Sequence, residues 1–196
     1  MKKLAISAVL GLSIIGGVLA APNTANAFRL RNYKNFSLFI GVAAGTPTNG
    51  TPFIVWPEDH SANQSFAGST SYVVPGAQII LMDNVAQNAI ADVAGYSPYR
   101  QPVTVGYPID YTNYPYGPVY NQKSFWIVDN QIILTYTDTS TGNKYTCYRF
   151  KNSVRQDQVI GVSGGSTSKG SAVVVYDRFD STYPQHLDQF WCPVAD

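Results

Sequence analysis

The sequence predicts an all-β chain assembled from three copies of one unit. Residues 41–56 (GVAAGTPTNGTPFIVW) align without a gap on residues 161–176 (GVSGGSTSKGSAVVVY). A looser middle copy runs through Asp92-Val93-Ala94-Gly95 and Pro102-Val103-Thr104-Val105-Gly106-Tyr107. Each copy closes with an amide or acid, then Gln and an aromatic: Asn63-Gln64-Ser65-Phe66, Asn121-Gln122-Lys123-Ser124-Phe125 and Asp188-Gln189-Phe190-Trp191. Such a unit buries its apolar face only beside its siblings, so three copies predict a closed threefold assembly. Composition points the same way, with 14 Tyr, 16 Gly and 12 Pro favouring short strands joined by tight turns over long helices.

The first element is not part of that assembly. Met1-Lys2-Lys3 is a basic start, residues 4–20 are apolar, and Ala25-Asn26-Ala27 is a small-x-small cleavage signal. Residues 1–27 therefore read as a secretory signal peptide, with a retained membrane anchor as the weaker alternative. Residues 28–196 fit one domain with a sizeable core, exported to the extracellular space or periplasm. The formal charge is +1 with Lys2 and Lys3 counted, so the surface has no electrostatic footprint for nucleic acid or an anionic membrane. No later segment is long and apolar enough to span a bilayer.

Along the domain, apolar or alternating runs recur between Gly, Pro, Asn, Asp and Ser junctions. They occupy residues 36–42, 52–56, 71–74, 78–81, 88–93 and 102–107, then 125–128, 132–137, 145–150, 158–162, 171–176 and 189–193. Only residues 84–91 could be read as a helix, and that stretch is too short to shape the fold. The repeats span about 32–84, 85–152 and 153–196. The middle copy is lengthened twice: by a Tyr- and Pro-rich loop at 107–120, and by a hairpin turning at residues 138–143. That loop is either an aromatic binding surface or a stiff cover on the barrel. The two cysteines, Cys147 and Cys192, lie in the exported part and are expected to pair, since an oxidising compartment favours a disulfide. Neither has a nucleophile signature around it.

The segments Gly-Val-Ala-Ala-Gly, Asn-Gly-Thr-Pro, Val-Trp-Pro and Ala-Asn-Gln-Ser-Phe, in that order, resemble a repeat of the ricin B-chain-type lectins. That family closes each repeat with Gln-x-Trp. Gln189-Phe190-Trp191 matches in full, Gln64-Ser65-Phe66 has Phe for Trp, and Gln122 reaches Phe125 or Trp126 only across an insertion. The resemblance implies a β-trefoil, with six strands in a short barrel and six in hairpins capping one end. It also implies that the Gln and aromatic residues of the motif hold the fold and do not touch sugar.

In the family each repeat has a shallow pocket in which an Asp takes two sugar hydroxyls, an aromatic stacks on the sugar and an Asn adds a hydrogen bond. Vicinal hydroxyls suit a bidentate carboxylate, and the C–H face of a pyranose suits a flat ring. Carried over residue by residue, the resemblance implies Asp92, Tyr107 and Asn121 in the second repeat, Trp56 and Asn63 in the first, and Tyr176 and Asp188 in the third. The first and third repeats depart from the pattern, with Gly41 and Gly161 at the acid position. Asp92 has a structural alternative as a turn cap, and Trp56 as a core residue.

Other signals are weaker. Gly161-Val162-Ser163-Gly164-Gly165 has the spacing of a nucleophile elbow, but the matching segment of the first repeat has no serine. His60 and His186 sit in matching loops without a second ligand at metal spacing, and Asp177, Asp180 and Asp188 lack the pattern of a calcium loop. No cofactor, metal or catalytic set is expected. The expected function is non-catalytic carbohydrate binding, with glycans or glycoconjugates as partners. Its alternative is protein recognition, as the receptor-binding subunit of an exported toxin assembly or as a protease inhibitor.

Overall fold

In a computed structural model, residues 27–43, 48–81, 90–93, 101–106, 109–110, 119–120, 124–177 and 184–196 are described. Their regular structure is short strands and single 3-10 turns, as the composition requires. The first repeat contributes β1 (Ala27–Asn32), β2 (Leu38–Val42), β3 (Phe53–Pro57), β4 (Phe66–Ala67) and β5 (Gln78–Ile80). The second contributes β6 (Ile90–Val93), β7 (Val103–Gly106), β8 (Ile109–Asp110), β9 (Val119–Tyr120), β10 (Phe125–Val128), β11 (Leu134–Thr137) and β12 (Lys144–Cys147). The third follows with β13 (Phe150–Asn152), which pairs with β14 as β1 pairs with β2 and so precedes the expected start of this repeat at 153, then β14 (Gln158–Val162), β15 (Val173–Asp177) and β16 (Trp191–Ala195).

Two five-stranded sheets dominate: β16-β1-β2-β3 with β4 added to β1, and β15-β14-β13-β10-β5. The first sheet joins the beginning of the domain to its end through a ladder running from Phe28–Ala195 to Asn32–Trp191.

The threefold closure is visible bond by bond. Pro52 bridges to Thr104, Pro102 to Val174 and Ala172 to Ile54, so, with positions counted from Thr51, Gln101 and Ser171, the second residue of each copy meets the fourth residue of another. The N–H groups of Val55, Val105 and Val175 donate to the carbonyls of Ser171, Thr51 and Gln101, at 2.9, 2.7 and 2.9 Å. Strands β3, β7 and β15 thus form a closed ring. They turn Phe53, Val103 and Val173, and behind them Val55, Val105 and Val175, into the core. Alternation across a strand requires that pattern, and it sends the next residue outward to the sites described below.

The closing aromatics complete the core: Phe66, Trp126 and Trp191 are fully buried, and Trp191 Nε1 donates to Ile160 O at 3.1 Å. In the second repeat it is therefore Trp126 that sits in the core, while Phe125 is half-buried. The closing glutamines fix loops. Gln64 Nε2 donates to Pro57 O at 2.9 Å and Gln189 Nε2 to Asp177 O at 3.3 Å, equivalent carbonyls at the ends of β3 and β15. Gln122 lies outside the described residues.

Two expectations are corrected. Residues 71–74 do not form a strand: Thr70–Tyr72 is a 3-10 turn whose Ser69 hydroxyl accepts the Ser71 N–H, leaving only Val73 buried. Strand β1, absent from the expected set, holds Phe28 and Leu30 in the core while Arg29 is buried against Glu58 and Asp196. Asn32 ends it, its Oδ1 accepting the N–H of Lys34 and Asn35, as Asn152 accepts those of Val154 and Arg155 after β13. Ala27, the last residue of the expected leader, pairs with Ala67 on β4.

The inserted hairpin β11–β12 turns where expected, with the Asp138 N–H bonded to Asn143 O and Gly142 at φ +75°. Cys147 at its end is bridged to Cys192 on β16, and both are buried. Tyr136 stacks on Phe36 with ring centres 3.7 Å apart, tying the hairpin to the turn after β1. Residues 84–89 of the possible helix lie outside the described residues.

Candidate functional site

Strand alternation places Trp56, one step past the buried Val55, on the outer surface of β3, where it is 38% exposed. Beside it lies an open hollow of about 190 Å³, lined by the end of β2 (Gly41, Val42, Ala43), by Ile54 and Trp56, and by Asp59, Asn63 and Gln64. The loop forming its far wall is held by its own polar groups. Gln64 Oε1 accepts the Asp59 N–H at 3.2 Å, Asn63 Nδ2 donates to Val42 O at 3.1 Å, and Asp59 Oδ1 accepts the Ser61 N–H at 3.0 Å. The Ser61 hydroxyl contacts Asp59 Oδ1 and Asn63 Oδ1. Partial burial acts to raise the pKa of Asp59. The hydrogen bonds from Ser61, side chain first and then backbone, its own backbone N–H and the nearby Arg29 outweigh this and hold it below the usual carboxylate value. Asp59 is therefore ionised at neutral pH.

Gly41, at the position where the resembling family has its acid, is a glycine for a steric reason. A Cβ there would stand 2.9 Å from both Asn63 O and Gln64 Cγ. The acid reaching this hollow comes instead from the opposite wall, as Asp59. Sequence reasoning missed it, although Asp59 two residues before Ser61 has the spacing of an Asx-type turn that fixes a carboxylate in a loop.

The third repeat uses the same positions differently. A Cβ at Gly161 would stand 3.0 Å from Tyr176 Cδ2, 3.1 Å from Asp188 Oδ2 and 3.2 Å from Gln189 Cγ. The Tyr176 hydroxyl accepts the Gly164 N–H, folding the ring back over its own repeat. Asp188 is 3% exposed, and its Oδ2 accepts the Val162 N–H at 3.2 Å. Burial pushes its pKa above the usual value, against the opposing pull of that N–H and of Lys34 and His186. Asn63 and Asp188 thus make equivalent ties with opposite polarity: the amide donates to a carbonyl of β2, and the acid accepts an N–H of β14.

In the second repeat the register places Asp92 opposite Thr104, as Gly41 lies opposite Ile54 and Gly161 opposite Val174. Tyr107 and Asn121 lie outside the described residues, as does most of the 107–120 loop; its described parts are the paired strands β8 and β9. Ser163 sits in a 3-10 turn after β14, without the helix that an elbow nucleophile needs. His60 stands at φ +55° with Nδ1 3.1 Å from Arg29 Nη1. A second, larger hollow of about 470 Å³ is lined by apolar groups around Phe28, Val73, Val74 and Ile79 and by the neutral polar side chains of Ser69, Ser71, Tyr72 and Gln78, with no charged residue among the described ones.

No protein-family model matches the chain, and no curated protein sequence matches it. Among solved structures it is similar to the designed threefold-symmetric protein ThreeFoil, with a TM-score of 0.59 at 16% identity, over 86% of this chain and 97% of that one. It is similar to the C-half of the earthworm R-type lectin in complex with GalNAc, at 0.53 and 13%, over 87% and 99%. It is also similar to part of a mosquitocidal holotoxin, at 0.59 and 11%, over 88% of this chain but 17% of that one. Likeness at these identities concerns architecture, and it agrees with the closed ring of β3, β7 and β15: the chain is a β-trefoil.

Proposed function

We propose that the chain is an exported, non-catalytic carbohydrate-binding trefoil of the ricin B type whose principal site is the hollow of the first repeat. The observation behind this reading is the convergence of Trp56, Asp59 and Asn63 on one open cavity. Trp56 offers a flat apolar platform for the C–H face of a pyranose. Asp59, ionised, accepts vicinal hydroxyls, and charge-assisted bonds of this kind are the stronger ones. Asn63 spends one amide N–H on Val42 O and keeps the other for a ligand. Lectins among the structural neighbours support the reading, one of them in complex with GalNAc. Asp92, with Tyr107 and Asn121, is the proposed second site. Tyr176 and Asp188 contribute less, because each is already bonded within its repeat.

A glycan array probed with the purified chain tests the proposal. Binding that falls at least tenfold in Trp56→Ala and in Asp59→Asn supports it, whereas no binding to any glycan sinks it. One observation favours the second reading, protein recognition within a toxin assembly: the ring of Tyr176 closes over the third repeat, as a trefoil that no longer uses that sugar pocket would allow. The likeness to a stretch of a mosquitocidal holotoxin fits that reading. An empty array together with binding of the purified chain to a purified toxin chain would favour it.

A further inference from the structure

The platform at Trp56 is shared between two repeats. Ile54 bridges to Ala172, Val55 N–H donates to Ser171 O at 2.9 Å, and Gly170 N–H donates to Val55 O at 2.7 Å. The turn before β15 is thereby fixed against β3, and a Cβ at Gly170 would touch Trp56 Cζ3 at 3.7 Å. This turn carries Lys169, whose Nζ stands over the indole, 5.5 Å from the ring centre. Cation–π attraction favours that placement, and an exposed ammonium with three donors keeps hydrogens for a ligand.

Lys169, like Lys34 and Lys144, is a described cation outside the ion pairs of the domain, and of these three it is the one placed over Trp56. Arg29, Arg31, Arg149, Lys151 and Arg155 each lie within ion-pair distance of a carboxylate. Among the described residues Lys169 has none. The one carboxylate lining the hollow, Asp59, is held by Ser61 and forms no ion pair with it. A ligand lying on Trp56 therefore meets an anion on the wall of the hollow and an unpaired cation over the platform.

We propose that the ligand of this site, on the carbohydrate reading above, is an acidic saccharide. Its ring lies on Trp56, its hydroxyls reach Asp59 and its carboxylate reaches Lys169. The two charges also set direction. Asp59 repels a carboxylate and attracts hydroxyl donors, so the acidic end points to the turn of the third repeat. A neutral sugar uses the platform and Asp59 but leaves Lys169 unused. Because Lys169 is exposed, the preference is modest, up to about fivefold.

Calorimetric titration of the full chain with lactose and with sialyllactose, at about 30 mM and about 300 mM salt, tests this. The expected result is sialyllactose bound roughly three- to fivefold more tightly than lactose at low salt, with the gap narrowing at high salt. Lys169→Gln should erase the gap and leave lactose unchanged, and Lys169→Arg should keep it. Equal affinity for the two sugars in the parent chain overturns the proposal, and so does an equal loss of both in Lys169→Gln, which would make Lys169 only a prop for the indole. If Trp56→Ala abolishes binding of both sugars while Lys169→Gln alters neither, the acidic preference falls and the carbohydrate reading stands. If the parent chain binds neither sugar, the acidic preference falls, and the carbohydrate reading falls with it only where the glycan array is empty too.

Discussion

Substituting Gly41 tests whether the missing acid of the first repeat is a loss or a steric requirement. A Cβ at this position would lie 2.9 Å from Asn63 O and 2.9 Å from Gln64 Cγ, closer than side-chain carbons are found to approach. The carbonyl belongs to a loop pinned by the Asn63–Val42 and Gln64–Pro57 bonds, so it cannot yield alone. Overpacking of this kind costs about 1–3 kcal/mol, and each hydrogen bond lost as the loop shifts adds about 1 kcal/mol. Replacing a strand glycine returns roughly 0.5–1 kcal/mol. Gly41→Ala should therefore destabilise by about 2–3 kcal/mol, a fall in Tm of roughly 4–12 °C for a domain of this size.

Gly161→Ala is the internal comparison. Its nearest neighbours, at 3.0–3.2 Å, are the side-chain atoms of Tyr176, Asp188 and Gln189, which can retreat by a few tenths of an ångström. Its cost should be about 1 kcal/mol. Thermal melts followed by circular dichroism give both numbers. A Gly41→Ala variant within about 0.5 kcal/mol of the parent, or one more stable than Gly161→Ala, would refute the steric account. Gly41→Asp should accordingly lower stability further without creating a sugar site.

Asp188→Asn should change the pH dependence of stability. Burial raises the folded-state pKa of Asp188 above its unfolded value, so its contribution is present below the ordinary carboxylate range and declines as pH rises through the raised value. Asn keeps an oxygen for the Val162 N–H but cannot ionise, so urea midpoints from about pH 3 to 7 should show the variant gaining on the parent as pH rises; parallel curves would count against this. Removal of the Cys147–Cys192 bridge, by a Ser pair or by reduction, opens a link across 45 residues. Chain entropy puts the loss at about 4 kcal/mol, seen as a Tm lower by roughly 8–16 °C.

Much of the architecture was legible because the threefold ring repeats its own chemistry. The Val-x-Val steps of β7 and β15, and Phe53 with Val55 in β3, supply the inward positions of three equivalent strands, and among the described residues the β2–β3 ladder of 41–56 matches the β14–β15 ladder of 161–176. Strand β1 was not legible. Its Arg29 and Arg31 obscure the alternation, since Arg29 is buried only by virtue of Glu58 and Asp196, partners 29 and 167 positions away along the chain. A signal for it existed in the match of Asn32 with Asn152, each ending a strand at the same distance before its successor. Of the site, Trp56 and Asn63 were readable from the motif. Asp59 was not, because the motif points to Gly41, and only the close passage of β2 beneath Asn63 shows why the acid must come from elsewhere.

The ring also explains why the outward positions of the first and third repeats have diverged while the barrel has not. At the first, second and fourth positions of each copy the backbone is bridged to another copy, and at the fifth the N–H crosses to the next carbonyl. A change at any of these positions is felt in two repeats at once. The third and fifth side chains fill a shared core, where volume changes are costly. The sixth position, occupied by Trp56 in the first repeat and Tyr176 in the third, points out of the ring and, unlike the second and fourth, carries no bridge to another copy among the described residues. In the first repeat it meets only its own loop and the turn at Lys169; in the third it folds back onto Gly164. Substitution there alters one pocket and leaves the other two intact. The same geometry makes the Trp56 platform of the first repeat depend on the turn of the third, so on the proposal above the ligand preference of one repeat is set partly by a residue of another.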